Sequence, residues 1–129
     1  LASNHPETAI IHDLDNIRSR RIYMQAVTFI ELQPFAAVRG KYLDDDEFAA
    51  LQWHLAGNPE AGNVVPRSGG CRKLRWALEG RGKRGGARVI YFLRLAEDEI
   101  VLVTMYAKNV RESIDAVLLK RLKERFEYG

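Results

Sequence analysis

One stretch of the chain, residues 67–94, combines strand-like apolar alternation with nine Lys and Arg residues and a single acid, Glu79. Glycines at four positions between 80 and 86 interrupt it, which predicts strands joined by a tight basic loop. The whole chain has 20 basic and 17 acidic residues, so 11 basic and 16 acidic residues remain elsewhere. Such a concentration of positive charge on strands indicates a sheet with an exposed basic face that binds a polyanion.

A length of 129 residues and a hydrophobic content of 47% fit a single domain with an ordinary core. The single cysteine, Cys71, cannot form an internal disulfide, and with His5, His12 and His54 it matches no metal-ligand spacing. We therefore expect no metal, no cofactor and a reducing, cytoplasmic setting. The apolar run 100–105 is strand-length and no secretory signal is visible, so we expect a soluble protein with no membrane partner.

Residues 1–23 are expected to lie outside the main domain, which we predict to span 24–129. Four apolar residues in this N-terminal segment have helix-like spacing: Ile10, Ile11, Leu14 and Ile17. The segment is thus either an N-terminal helix or an extension foreign to the domain, and Met24 is a candidate for the natural start. We assign no functional residue to this segment.

The predicted order of elements is one strand, two helices, three strands and a final helix, which is an α+β fold. A strand at 26–32 precedes a helix with Pro34 in its first turn. Asp44 and Glu47 have capping-box spacing and start the second helix, which ends at Gly-Asn-Pro, 57–59. The apolar positions that define the two helices are Phe35, Val38 and Tyr42 in the first and Phe48, Leu51 and Leu55 in the second.

Three further strands are predicted after a loop at 59–70, and they are 72–78, 87–95 and 99–106. We expect them to form an antiparallel meander with one buried and one exposed face. Lys73 and Arg75 alternate with Leu74, so both cations lie on the face opposite the apolar set. Adjacent cations repel one another, which favours an anion bound at this surface. The last helix is expected to begin with Ser113 as its N-cap and to cover the sheet or dock a partner.

Two segments carry a family resemblance: GGCRKLRWALEGRGKRGGARVIYFL, at 69–93, and LVTMYAKN, at 102–109. From residue 24 to the C-terminus the chain resembles the RelE/ParE toxin superfamily, and most closely its HigB-like branch. KRGGARVIY and YAKN are the most specific parts. The resemblance implies a RelE-like, microbial RNase-like fold and a type II toxin that cleaves mRNA in the A site of the translating ribosome. It also implies a cognate antitoxin, expected to be a DNA-binding helix-turn-helix protein.

Metal-independent RNA cleavage requires a deprotonated 2′-OH, stabilisation of the phosphorane's extra negative charge and protonation of the leaving 5′-oxygen. Arg88 matches the arginine of the family motif and offers a bidentate contact to the scissile phosphate; we expect a surface side chain. Lys73 and Arg75 match two basic strand positions of the family. Because Arg stays protonated, Arg75 is assigned to charge stabilisation and Lys73 to the general base. Lys108 lies where the family carries further catalytic or substrate-binding groups.

The predicted catalytic residues are Lys73, Arg75, Arg88, Tyr91 and Lys108. The predicted RNA- and ribosome-binding residues are Arg72, Arg81, Lys83, Arg84, Tyr106 and Asn109. Tyr91 and Tyr106 can stack on a base or donate a proton, although tyrosines in apolar strands are more often core residues. The family's catalytic tyrosine lies in the C-terminal segment, where this chain has no tyrosine before Tyr128. The general acid therefore stays open.

Two alternatives remain beside the RNase: a ParE-like gyrase inhibitor on the same fold, and a nucleic-acid-binding module without catalysis. The gyrase inhibitor would tolerate replacement of the basic strand residues. The binding module would show steep salt dependence and no cleavage. A P-loop is excluded, because the glycine-rich run at 80–84 lacks a Ser or Thr after its lysine and joins two strands. The joint presence of the basic residues at 73, 75, 88 and 108 favours the enzyme.

Overall fold

The computed structural model describes residues 26–78, 86–108 and 114–129. Its elements, in chain order, are β1 (Thr28–Glu31), α1 (Gln33–Tyr42), α2 (Asp45–Gly57), β2 (Asn63–Val64), β3 (Arg72–Trp76), β4 (Ala87–Arg94), a 3-10 turn (Leu95–Glu97), β5 (Glu99–Ala107) and α3 (Ala116–Tyr128). The described part of the chain is thus an α+β fold with three α-helices. The helix expected at 10–17 and the segment 1–23 fall outside the described residues.

A mixed five-stranded sheet with the strand order β1-β5-β4-β3-β2 forms the centre of the fold. The antiparallel pairing of β3 with β4 and of β4 with β5 confirms the predicted meander. The first strand adds to the outer side of β5 in parallel. The predicted loop 59–70 is wrong in part, because Asn63–Val64 inside it pairs with β3 as a short edge strand. Two residues are too few to give a periodic signal in a sequence.

Helices α1 and α2 cover one face of the sheet. Pro34 lies in the first turn of α1, as expected, and the rings of Phe35 and Phe48 join the two helices with centroids 5.9 Å apart. The predicted capping box is confirmed: the amide of Glu47 donates to the Asp44 carboxylate (2.7 Å), and the amide of Asp44 donates to the Glu47 carboxylate (2.8 Å). Both orphan amides at the start of α2 are therefore satisfied.

Helix α3 covers the other face, so the expectation of a sheet with one fully exposed face is wrong. Leu119 is completely buried against that face, and the rings of Phe92 and Phe126 meet at 5.9 Å. Strand β4 is buried from Ala87 to Phe92 because apolar residues pack on both of its sides. The helix is capped by Asp115, whose carboxylate accepts from the amide of Val117 (2.9 Å), and the prediction of Ser113 as N-cap is wrong.

Among the described residues, no helix combines the length and apolar character that crossing a membrane requires.

Candidate nucleic-acid interface

Three neighbouring strands bring Arg75, Arg88 and Tyr106 into one row across the sheet. Arg75 of β3 lies opposite Arg88 of β4, and Arg88 lies opposite Tyr106 of β5. Directly opposed residues of antiparallel strands point to the same face, with Cβ atoms about 5 Å apart. Tyr106 belongs to the core cluster under α3. The row therefore lies on the same face of the sheet as α3, which covers another part of that face. We call this part of the sheet the basic face.

A β-bulge in β5 puts Tyr106 on the basic face. The register with β4 shifts between Ile90 and Tyr91, so that Val103 is the extra residue. Strict alternation along β5 would give Tyr106 the same side as Leu102, which lies in the core cluster under α1 and α2. The bulge reverses the alternation of side chains along β5, so Tyr106 points to the other face and joins the cluster under α3. No pattern in the sequence marks this shift.

Arg88 is the most enclosed cation of the row, with 7% of its surface exposed. Its guanidinium donates to the carbonyl oxygen of Ala87 at 3.2 Å. The expectation of a surface side chain is therefore wrong, because Arg88 is buried. A buried Arg keeps its charge and its planar fork in a fixed position, which suits bidentate contact with a phosphate.

Lys73 and Arg75 extend the row along β3, as the alternation predicts. Lys73 lies opposite Ile90, which is buried in the cluster under α3, so Lys73 also faces the basic side. Two residues along a strand separate the lysine from the arginine by about 6.6 Å. Lys73 is half-buried and Arg75 is exposed. An elongated anion can therefore contact both side chains and Arg88 from the solvent.

Lys108 lies just past β5, at the end of the sheet where Arg75 and Arg88 are found. Its amide donates to the carbonyl of Gly86 at 3.1 Å. Gly86 has a φ of +61°, and a Cβ at this position would come within 2.4 Å of the carbonyl oxygen of Trp76. Only glycine allows the chain to enter β4 so close to β3. This requirement explains the second glycine of the KRGG motif, and Lys108 itself is exposed.

Tyr91 and Arg72 are not brought to the basic face. They pair with each other across β3 and β4 and face the side of α1 and α2. The Tyr91 hydroxyl accepts from the amide of Gly62 (2.8 Å) and donates to the carbonyl of Pro59 (2.7 Å), and burial raises the pKa of this phenol above its ordinary value. The Arg72 guanidinium donates to the carbonyl of Gly62 at 2.8 Å. Both residues hold the 59–62 segment against the sheet.

Four predicted RNA-binding residues, Arg81, Lys83, Arg84 and Asn109, lie outside the described residues. The segments that contain them connect to the basic end of the sheet: 79–85 joins β3 to β4, and 109–113 follows Lys108. At the opposite end of the same face the cations have local acidic partners. Arg94 is paired with Glu99 (2.8 Å) and Lys123 with Glu127 (2.9 Å).

Within the described ranges, no three His, Cys, Asp or Glu side chains come together in a way that could hold a metal ion. Two hollows, of about 470 and 290 Å³, lie beside α2 on the side of the sheet away from the basic face. None of the residues that line these two hollows belongs to the basic face. Among models of known protein families, none matches this chain.

Proposed function

We propose that this protein is the toxin of a type II toxin-antitoxin system, a HigB-like endoribonuclease that cleaves mRNA in the A site of the translating ribosome. The observation that supports it best is the row of Arg75, Arg88 and Tyr106, in which a nearly buried arginine lies between a second arginine and a tyrosine. The two segments that carry the RelE-like resemblance, and hence support the proposed RelE-like fold, contain all three members of this row. Cleavage needs no metal in this proposal, and the protein acts in the cytoplasm.

Each residue on the basic face has a role in the proposed reaction. The 2′-oxygen attacks the adjacent phosphorus, its proton passes to the amine of Lys73, and the bond to the 5′-oxygen breaks to leave a cyclic phosphate. Arg88 and Arg75 stabilise the extra charge of the phosphorane, because fixed donors in a partly dry site act more strongly than water does. In this proposal Tyr106 protonates the leaving 5′-oxygen; its hydroxyl is buried in the structure, so bound RNA has to expose it. Tyr91 has no role in this proposed reaction, since its hydroxyl is hydrogen-bonded to backbone groups on the opposite face of the sheet.

The proposed partners follow from the shape and charge of this surface. An open cationic face fits a strand of mRNA held by the ribosome, with Arg81, Lys83, Arg84 and Asn109 contributing from the adjoining segments and Lys108 from the end of β5. Such contacts to phosphates position the strand without reading its sequence. The cognate antitoxin, a helix-turn-helix protein, would neutralise the toxin.

The test is cleavage of a defined mRNA in a purified translation system, mapped by primer extension with and without ribosomes. Arg88→Ala is expected to lower the cleavage rate at least about 100-fold, as removal of an oxyanion-stabilising donor does. Arg94→Ala is the matched control, because Arg94 belongs to the same strand and the same face but lies at the far end, paired with Glu99. Its cleavage rate should be unchanged.

Because Arg88 is buried, Arg88→Lys is added as a second variant that keeps the aliphatic stem and the charge but loses the fork. Thermal unfolding of all variants separates lost chemistry from lost folding. Wild-type cleavage in a folded Arg88 variant would contradict the phosphate-binding role. Intact mRNA with wild-type protein would contradict the enzyme and favour gyrase inhibition or binding alone.

A further inference from the structure

The opposite side of the sheet carries a groove that the RNase proposal does not use. Along one flank of α2, Glu47, Ala50 and His54 lie at helical spacing and border two hollows. The smaller hollow, of about 290 Å³, lies between Glu47, Ala50 and Trp76. The larger one, of about 470 Å³, includes His54, Asn58 and Leu95 in its wall. We call the two hollows together the α2 groove.

Aromatic and apolar side chains form the middle of this groove. The rings of His54 and Trp76 lie between the two hollows, with centroids 5.5 Å apart. Trp53, on the adjoining flank of α2, is 37% exposed, and Leu95 is 67% exposed. Trp76 lines the smaller of the two hollows. Exposed aromatic residues beside a hollow are typical of surfaces that bind another protein.

The charge of the groove is opposite to that of the basic face. Residues 44–66 include five acids and no Lys or Arg. Glu47 lines one hollow and Glu60 the other, so a carboxylate lies near each end. Arg72 approaches the Glu60 end, but its guanidinium is bound by the carbonyls of Glu60 (3.4 Å) and Gly62 (2.8 Å).

We infer that the α2 groove binds an amphipathic helix of a partner protein, with an apolar face toward Trp76 and His54 and basic residues at both ends. The α2 flank from Glu47 to Asn58 is about 16 Å long, which matches three turns of a helix. A helix packed in a groove places its apolar residues at i, i+3, i+4 and i+7 against such a flank. The acidic ends repel nucleic acid, so they favour a basic protein segment. The inference does not depend on RNA cleavage.

The test uses two synthetic helical peptides of about three turns, cross-linked to hold the helix and free of Trp and Tyr. Both have leucines on one face; one has lysines at its ends and the other glutamates. Binding is followed by the intrinsic fluorescence of Trp53 and Trp76. The lysine-ended peptide is expected to bind and to shift the emission, whereas the glutamate-ended peptide should bind at least about tenfold more weakly because like charges meet at both ends.

Two neighbouring alanines provide a matched pair of variants. Ala50 lines the groove, whereas Ala49, one position earlier on the same helix and also exposed, points away from it. Ala50→Arg should raise the Kd of the lysine-ended peptide at least about tenfold through steric and charge repulsion, and Ala49→Arg should leave it within about twofold. Glu60→Lys, in an exposed loop, is a second blocking variant if Ala50→Arg fails to fold.

Three results would overturn the inference. They are the absence of binding by the lysine-ended peptide, equal binding of both peptides, and equal effects of Ala49→Arg and Ala50→Arg. None of them bears on the Arg88 experiment, which measures cleavage. The two proposals can therefore fail separately.

Discussion

The two faces of the sheet use the same residue types for different purposes. On one face Arg75 and Arg88 present guanidinium groups beside Tyr106. On the other face Arg72 and Tyr91 also form a cross-strand pair, but both side chains are bonded to backbone groups of the 59–62 segment. The role of an arginine or a tyrosine on these strands therefore depends on the face of the sheet to which its side chain points. Residue type and strand position alone do not distinguish binding from support.

The difference in charge between the two faces follows the chain. Residues 44–66, which form α2 and β2, carry acids without Lys or Arg, whereas 67–94 carry nine basic residues. The acidic part lies on the α2 side and the basic row on the α3 side. One small domain thus presents two surfaces with opposite electrostatic preferences, which allows one to bind nucleic acid while the other binds protein.

The largest expected effect is a difference in the rate of mRNA cleavage between variants of two arginines in β3. Arg75→Ala should lower mRNA cleavage about 100-fold, because it removes a cation beside the reacting phosphate. Arg72→Ala should leave the cleavage rate unchanged and lower the free energy of unfolding, since the carbonyl of Gly62 loses its donor. The measurements are single-turnover cleavage on ribosomes and urea unfolding. A comparable loss of cleavage in both variants would show that the face of the sheet does not determine whether an arginine takes part in cleavage.

A second comparison uses the two tyrosines. Tyr91→Phe should lower the free energy of unfolding by about 1–3 kcal/mol, because the buried amide of Gly62 and carbonyl of Pro59 both lose a partner. Cleavage should persist. Tyr106→Phe should lower the rate of the chemical step. Chemical denaturation and cleavage are measured on both variants, and a cleavage defect confined to Tyr91→Phe would reverse the assignment.

The sequence predicts the fold well where local signals are strong. The capping box of Asp44 and Glu47, the first-turn Pro34 and the antiparallel meander all follow from short-range patterns, and the structure has each of them. Alternation also gives the correct face for Lys73 and Arg75, because β3 has no register shift. A periodicity of two is sufficient in a regular strand.

The sequence does not predict features that depend on tertiary contacts. The bulge in β5 transfers Tyr106 to the basic face, and a bulge depends on pairing with a neighbouring strand. The role of Tyr91 depends on Gly62, which lies 29 residues earlier in the chain. Burial of both sheet faces was missed because α3 could equally have docked a partner. The assignment of the cationic residues of 79–85 to the site stays a prediction, because they lie outside the described residues.

A smaller effect on the free energy of unfolding is expected at the N-terminal caps of the helices on the two faces. Asp44 takes part in two reciprocal hydrogen bonds at the start of α2, whereas Asp115 accepts one at the start of α3. Each substitution to Ala should cost about 1 kcal/mol, because each removes one carboxylate that accepts from a helix amide, whereas the amide of residue 44 keeps its bond to the Glu47 carboxylate. Urea unfolding provides the comparison, with Asp45→Ala as a control. A loss at Asp44 no greater than that of the control would indicate that the Asp44 carboxylate adds nothing to the cap.

The smallest expected effect is a loss of folding stability at alkaline pH. Two buried groups, a phenol and a thiol, contribute to this loss. Burial raises the pKa of Tyr91 above 10.0 and that of the Cys71 thiol above 9.0 in the folded protein. The folded state therefore retains protons that the unfolded chain releases, so stability is fully present below about pH 8 and falls as pH rises through the folded-state pKa values.

Thermal unfolding between pH 8 and 11 tests this sign in wild type, Tyr91→Phe and Cys71→Ser. At pH 10 an unfolded tyrosine is half ionised, so the contribution of Tyr91 is reduced by about 0.4 kcal/mol, and the reduction grows with pH. Wild type should therefore lose stability faster than Tyr91→Phe above pH 10. Parallel pH profiles would mean that burial does not hold the phenol protonated, and the two faces of the sheet would then differ less than their hydrogen bonds indicate.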